Sequence, residues 1–131
     1  MLEIDDEHPD KLRHRDVTEK IIGAAFEVHG ELGYGFLERV YERALQVELI
    51  RRGSIAEIEK RVQVHYKDVV VGDYDSDLIV DGCVLVELKV APQYDRRDEA
   101  QLLNVLKATG LKVGLLVNFG RTKIDYKRLV F

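Results

Sequence analysis

Three residues in one short stretch have the types and spacing of a cation-assisted reaction site. They are Asp77, Glu87 and Lys89, within Asp77-Leu78-Ile79-Val80-Asp81-Gly82-Cys83-Val84-Leu85-Val86-Glu87-Leu88-Lys89. Residues i and i+2 of a strand point to one face, so Glu87 and Lys89 share a side with Leu85. Val84, Val86 and Leu88 take the other side, as core. Two charges on so apolar a strand are expensive unless paired or bound to an ion. Carboxylate oxygens suit magnesium or manganese. Such an ion lowers the pKa of water and stabilises the leaving oxygen of a phosphoryl displacement. A neighbouring lysine orients or deprotonates the nucleophile, or stabilises charge in the transition state. The plainer reading of the same residues is a Glu87–Lys89 ion pair with Asp77 in a turn.

Hairpin parity bears on this choice. Asp81-Gly82 marks a turn between two strands. A two-residue loop sets Asp77 opposite Val86, on the wrong face. A three-residue loop of Val80, Asp81 and Gly82, with Gly82 left-handed at a bulge, sets Asp77 opposite Leu85 and diagonal to Glu87. The bulged form is the expectation.

The elements that must position these groups follow from periodicity. Thr18 reads as the N-cap of a helix reaching about residue 28, with Ile21, Ile22, Ala25, Phe26 and Val28 on its apolar side. Gly30, Gly33 and Gly35 break it. A second helix over about 36–52 carries the stripe Leu37, Val40, Tyr41, Ala44 and Leu45, and Gly53 ends it. From residue 58 the period becomes two, predicting strands over 58–66, 69–80 (bent at Gly72) and 83–90. A helix over 95–108 closes at Gly110, and strands over 111–118 and 124–130 follow. Strand, helix, strand predicts a right-handed parallel crossover. The expected architecture is α/β, a mixed sheet in the order α-α-β-β-β-α-β-β flanked by helices. A polar N-terminal arm over 1–16 and a single domain over 17–131 are expected.

The totals fit that picture. The 131 residues are 46% hydrophobic and 34% charged, as in a folded single domain. No apolar run reaches the roughly 18 residues of a membrane span. The acidic start, Met1 to Glu7, has no apolar core, so no export signal is expected. Cys83 is the one cysteine and lacks partners at zinc spacing. It reads as core, and a reducing cytoplasm is the expected location. A net charge of −4 argues against a sequence-independent nucleic-acid coat protein but not against acids that await a cation. The basic groups Lys11-Leu12-Arg13-His14-Arg15, Arg51-Arg52, Arg96-Arg97, Arg121-Thr122-Lys123 and Lys127-Arg128 read first as solvated surface. His29 is expected to cap or pack near the first helix end, and His65 to face solvent.

Gly35-Phe36-Leu37-Glu38-Arg39-Val40-Tyr41 matches the G-x-x-E-x-x-Y signature of a family of small bacterial and archaeal proteins. Asp77, Glu87-Leu88-Lys89 and Gln101 follow in that family's order. The chain thus resembles the GxxExxY family and, through it, the RecB-like and lambda-exonuclease-like branch of the PD-(D/E)XK nuclease superfamily, over residues 17–131. An isolated E-x-K is weak; the ordered set is specific. The resemblance implies a restriction-endonuclease-like fold. It implies hydrolysis of phosphodiester bonds by a water activated by Mg2+ (or Mn2+), with DNA favoured over RNA, no membrane, and the homodimers common among small proteins of this fold. It makes Asp77 and Glu87 metal ligands, Lys89 the catalytic lysine, and Glu38 an accessory acid that aligns the site or binds the metal. Gln101 would orient Lys89 or touch a phosphate, and Tyr41, one turn from Glu38, would pack or hydrogen-bond the site. Asn118-Phe119 also looks family-like, although a strand-end cap and a core aromatic is the plainer reading. The chain departs from the pattern at Val105, where related nucleases often carry a tyrosine. The second reading is a non-catalytic module that keeps the fold and binds nucleic acid or protein.

Overall fold

The described residues form ten elements: α1 (Arg15–Leu32), α2 (Glu38–Arg51), β1 (Ala56–Ile58), β2 (Arg61–Tyr66), β3 (Val69–Asp75), β4 (Leu78–Val80), β5 (Val84–Lys89), α3 (Arg96–Thr109), β6 (Val113–Phe119) and β7 (Ile124–Val130). This computed structural model describes residues 13–58, 61–75, 77–93 and 95–131. Five strands make one sheet in the order β1-β4-β5-β6-β7, and β2 with β3 makes a separate two-stranded sheet. β5 and β6 are parallel, joined by α3 as the expected crossover, and the other neighbours in the large sheet are antiparallel. The mixed α/β class is the one expected.

Near-continuous apolar runs in β5 and β6 bury both sheet faces. Val84, Val86 and Leu88 face α1 and α2, packing with Ile21, Ala25, Tyr41, Leu45 and Leu49. Leu85, Ile79, Leu116 and Leu129 face α3 through Leu102, Val105 and Leu106. Each such side chain contributes about 1.5–3 kcal/mol by leaving water. The helix side of each core residue therefore fixes where its strand neighbours point. Glu87 and Lys89, in phase with Leu85, are directed to the α3 side. Helix α3 begins with a reciprocal cap, Asp95 accepting from backbone and Asp98 reaching back, and ends on left-handed Gly110. A Cβ at Gly114 would come within 3.0 Å of the Leu102 side chain, so this glycine lets α3 sit close to β6.

Several expectations are corrected. Helix α1 starts at Arg15, three residues before Thr18. Thr18 is buried in its first turn, and its hydroxyl donates to the Arg15 carbonyl instead of capping. His8-Pro9 and Lys11-Leu12 lie outside the described residues. The strand expected over 58–66 is two strands in different sheets, and so is the one expected over 69–80. The physical difference is burial: Leu78, Ile79 and Val80 are buried, whereas Val69, Val70 and Val71 are exposed. Valines at the start of the 69–80 stretch and Leu78-Ile79-Val80 at its end look alike in sequence, which hides that change of partner.

The hairpin loop has three residues, but they are Asp81, Gly82 and Cys83, closing on the pair Val80↔Val84. Asp81 and Gly82 are both left-handed, at φ 52° and 69°. Asp81 is held in place from the side: its backbone N–H donates to Ile55 O at 2.7 Å and its carboxylate accepts from Ile55 N at 2.8 Å. The register Leu78↔Val86, carried one residue further, sets Asp77 across from Glu87 and not from Leu85. The parity that the site requires is retained, because directly opposed residues share a face.

Candidate active site

The charged residues collect at the carboxyl end of β5. Lys89 is the strand's last residue, and its Nζ stands 3.7 Å from Asp98 Oδ1 in the first turn of α3, with both side chains partly buried. Glu87, two residues earlier, is only 8% exposed. Asp77 lies just before β4, and its Oδ2 accepts a 2.7 Å hydrogen bond from the backbone N–H of Leu88. This carboxylate continues the β4–β5 ladder past the end of β4 and pins the acid beside the Glu87–Lys89 segment.

Glu38 enters from the opposite layer. It is the first residue of α2, whose N-terminus has no side-chain cap. Its pKa is raised above the ordinary glutamate range, first by partial burial and then by the Asp77 carboxylate. The Lys89 ammonium pulls it back, and Asp98 adds to the rise. Glu38, Asp77, Lys89 and Asp98 thus sit close enough to feel one another across three layers of the fold.

Tyr41 and Gln101 sit at the margins. Tyr41 is fully buried, with its ring stacked on Phe119 at 4.5 Å between centroids. Its hydroxyl donates to Gly33 O and accepts from Phe36 N, so it clasps the loop that leads into Glu38. The hydroxyl is spent on that loop and does not enter the acid cluster. Gln101 is exposed on α3, one turn beyond Asp98 on the same side of the helix. Val105, one further turn along, is buried against the sheet.

Asn118 is the residue with the tightest structural task. Paired with Lys89 in the β5–β6 register and fully buried, it accepts from Ala91 N at 3.0 Å and donates to Ala91 O at 2.9 Å. Its amide replaces a backbone partner and fixes the chain just after Lys89. The reading of Asn118-Phe119 as strand-end clamp and core aromatic fits these contacts. Asp98 escaped the sequence reading because its place in Asp95-Arg96-Arg97-Asp98 is that of an ordinary capping acid. Its Oδ2 does accept from Asp95 N at 3.0 Å, leaving Oδ1 for Lys89. An acid one turn before Gln101 on the crossover helix was the signal available.

The donor chemistry fits a divalent cation. Glu38, Asp77, Glu87 and Asp98 offer hard oxygens with one ammonium among them, and the Glu38 pKa is raised first by burial and then by the Asp77 carboxylate. As the side chains lie, no three acid, imidazole or thiolate groups among the described residues close on one point.

The sequence profile of the PD-(D/E)XK nuclease superfamily matches residues 15–129. The fold is similar to the crystal structure of SSO0001, with a TM-score of 0.59 at 15% identity, over 93% of this chain and 62% of that one. The chain therefore spans less than two thirds of the length of that solved structure. No curated protein matches the chain. No described helix is long and apolar enough to cross a membrane. With a mixed five-stranded sheet, a crossover helix and an acid–lysine cluster at the carboxyl end of its central strand, the chain belongs to the PD-(D/E)XK nuclease superfamily.

Proposed function

We propose that this protein is a GxxExxY-type nuclease that hydrolyses phosphodiester bonds of DNA with the help of magnesium or manganese. The observation that carries the reading is the mutual electrostatic coupling of Glu38, Asp77, Lys89 and Asp98 beside Glu87. Asp77 and Glu87 would hold the cation, with Glu38 completing the acid set. Bound there, a divalent ion supplies positive charge to a phosphate oxygen and a more acidic water.

The chain's own groups do the rest. Lys89 meets the scissile phosphate as a cation and stabilises the charge that grows on its oxygens. Asp98 holds the ammonium in place through its Oδ1 and acts as a positioning residue. Glu38 holds a proton more readily than an ordinary glutamate, first through partial burial and then through the nearby Asp77 carboxylate. Tyr41 positions Glu38 by fixing the loop before α2, and Gln101 lies where it can reach a neighbouring phosphate. Asn118 keeps the strand end rigid beneath Lys89.

The test is a cleavage panel of single-stranded, double-stranded, flapped and branched DNA, and of RNA, with magnesium or manganese. Cleavage abolished in Lys89→Ala and Asp77→Ala, with the fold intact by circular dichroism, is the expected result. An inactive parent protein across the whole panel would sink the reading.

A further inference from the structure

We infer that the cavity between Tyr34 and the β6–β7 turn is a clamp for one unpaired nucleotide of the substrate strand. This rests on the nuclease reading above. The cavity measures 280 Å³ and is lined by Tyr34, Pro92, Gly120, Arg121, Lys123 and Asp125 among others. Its walls come from the same end of the sheet as the acid cluster. Tyr34 lies four residues before Glu38, Pro92 three after Lys89, and Gly120 directly follows β6.

The chemistry of the lining is that of a nucleotide site. Arg121 stands 5.8 Å over the Tyr34 ring, a cation above an aromatic face, and an incoming base would take that face in its place or stack on the guanidinium plane. Lys123 lies 3.6 Å from Asp125, so Arg121, Lys123 and Asp125 together carry one net positive charge. A phosphate suits the arginine, and a base suits the ring and the proline. The volume is near the lower limit of about 300 Å³ for small-molecule sites, enough for one nucleotide and far too narrow for a duplex. Paired bases have their faces covered by neighbours, so only an unpaired one reaches such a ring.

The clamp is also rigid. Gly120 N donates to Lys123 O at 3.1 Å, closing the turn. The Gly120 carbonyl is 2.7 Å from His29 Nε2, which ties the turn to α1. A Cβ at Gly120 would meet Lys123 O at 2.8 Å, so the turn admits only glycine there. On the other wall, the Asn118 clamp on Ala91 fixes the residue before Pro92. Arg121 and Lys123 are thus presented on a fixed frame, which lowers the ordering cost of binding.

The experiment measures fluorescence anisotropy of labelled single strands and duplexes on the full chain carrying Lys89→Ala, which separates binding from cleavage. Adding Tyr34→Ala should weaken single-strand binding roughly 5- to 150-fold, the range for one lost base stack. Duplex binding should be unchanged, and Tyr34→Phe should keep the parent affinity. Arg121→Gln should lower the slope of log K against log salt by about 0.7. Parent-like binding by both Tyr34→Ala and Arg121→Gln would overturn the clamp. Failure of the two readings is distinguishable: cleavage by the Lys89-intact chain without clamp dependence sinks the clamp alone. Clamp-dependent binding without cleavage in any metal sinks the nuclease reading alone.

Discussion

The ammonium of Lys89 and the carboxylate of Asp98 meet at 3.7 Å, joining the end of β5 to the first turn of α3. The two elements are consecutive in the chain, one at the sheet's centre and the other on its face. The contact exists because the parallel crossover returns α3 over the strand it leaves.

Removing Lys89 and removing its partner should therefore differ in size. Lys89→Ala should lower the cleavage rate by about 10²–10⁴-fold, as for loss of a group acting in the transition state. Asp98→Asn keeps an oxygen near Asp95 N but loses the charge that holds Lys89. It should lower the rate by about 10–100-fold, the usual size for an orienting partner. Because the pair is partly solvated, stability should change by about 1 kcal/mol or less. Single-turnover rates and urea unfolding check the two arms.

Glu38 gives a pH prediction whose sign is fixed. Its folded pKa is raised, so the folded state binds the proton more tightly than the unfolded chain. Its contribution to stability is present below the unfolded glutamate pKa and is lost as pH rises through the folded one. Glu38→Gln removes the charge that Asp77 and Asp98 repel. The variant should be more stable than the parent at neutral pH, by about 1 kcal/mol or less for so exposed a group. The difference should vanish below the carboxylate range. Urea midpoints across that pH range measure it, and a variant that is less stable at neutral pH contradicts the coupling.

A divalent cation should raise the melting temperature of the parent protein. Binding only to the folded state stabilises by about 2.7 kcal/mol at 100 times Kd. Asp77→Asn and Glu87→Gln should each abolish most of the shift, and Lys89→Ala should keep it. Differential scanning fluorimetry with magnesium, then manganese, reads this without any substrate. The same cation should lower the Glu38 pKa, because positive charge favours its ionised form.

Much of this arrangement was legible in the residues. The i, i+2 spacing of Glu87 and Lys89 gave their shared face, and Gly110 and the apolar run after it gave the crossover and β6. The bounds of β7 were read as they stand, 124–130. The loop register was not legible, because Val80 and Cys83 are both apolar and either can be the third loop residue. The tie between Asp81 and Ile55, 26 positions away, decides the matter, and no local pattern encodes it. Asp98 was hidden for a related reason: a capping acid and an acid facing a lysine look alike until the helix is docked.

Asn118 should be among the most sensitive polar positions. Asn118→Leu keeps the volume but takes both partners from the Ala91 backbone groups. Each polar group left without a partner costs about 1–3 kcal/mol. The expected loss is about 2 kcal/mol or more by urea unfolding, with cleavage falling further because the chain after Lys89 loosens. A loss well under 1 kcal/mol would mean that Ala91 finds water instead.

The contact between Gly114 and Leu102 sets the distance from α3 to the sheet, and with it the reach from Asp98 to Lys89. A methyl at Gly114 would lie 3.0 Å from Leu102 carbons, inside ordinary contact. Gly114→Ala should cost about 1–3 kcal/mol, the size of one overpacked methyl in a core. Leu102→Ala alone should cost about 2–5 kcal/mol by opening a cavity. In the double variant the new methyl occupies part of that space, so its loss should be smaller than the sum by more than the roughly 0.5 kcal/mol typical of independent sites. Cleavage should track the helix position: Gly114→Ala alone should slow the reaction, and adding Leu102→Ala should restore part of the rate. Additive energies would show that α3 absorbs the methyl by rotating Leu102, leaving Asp98 and Lys89 where they are.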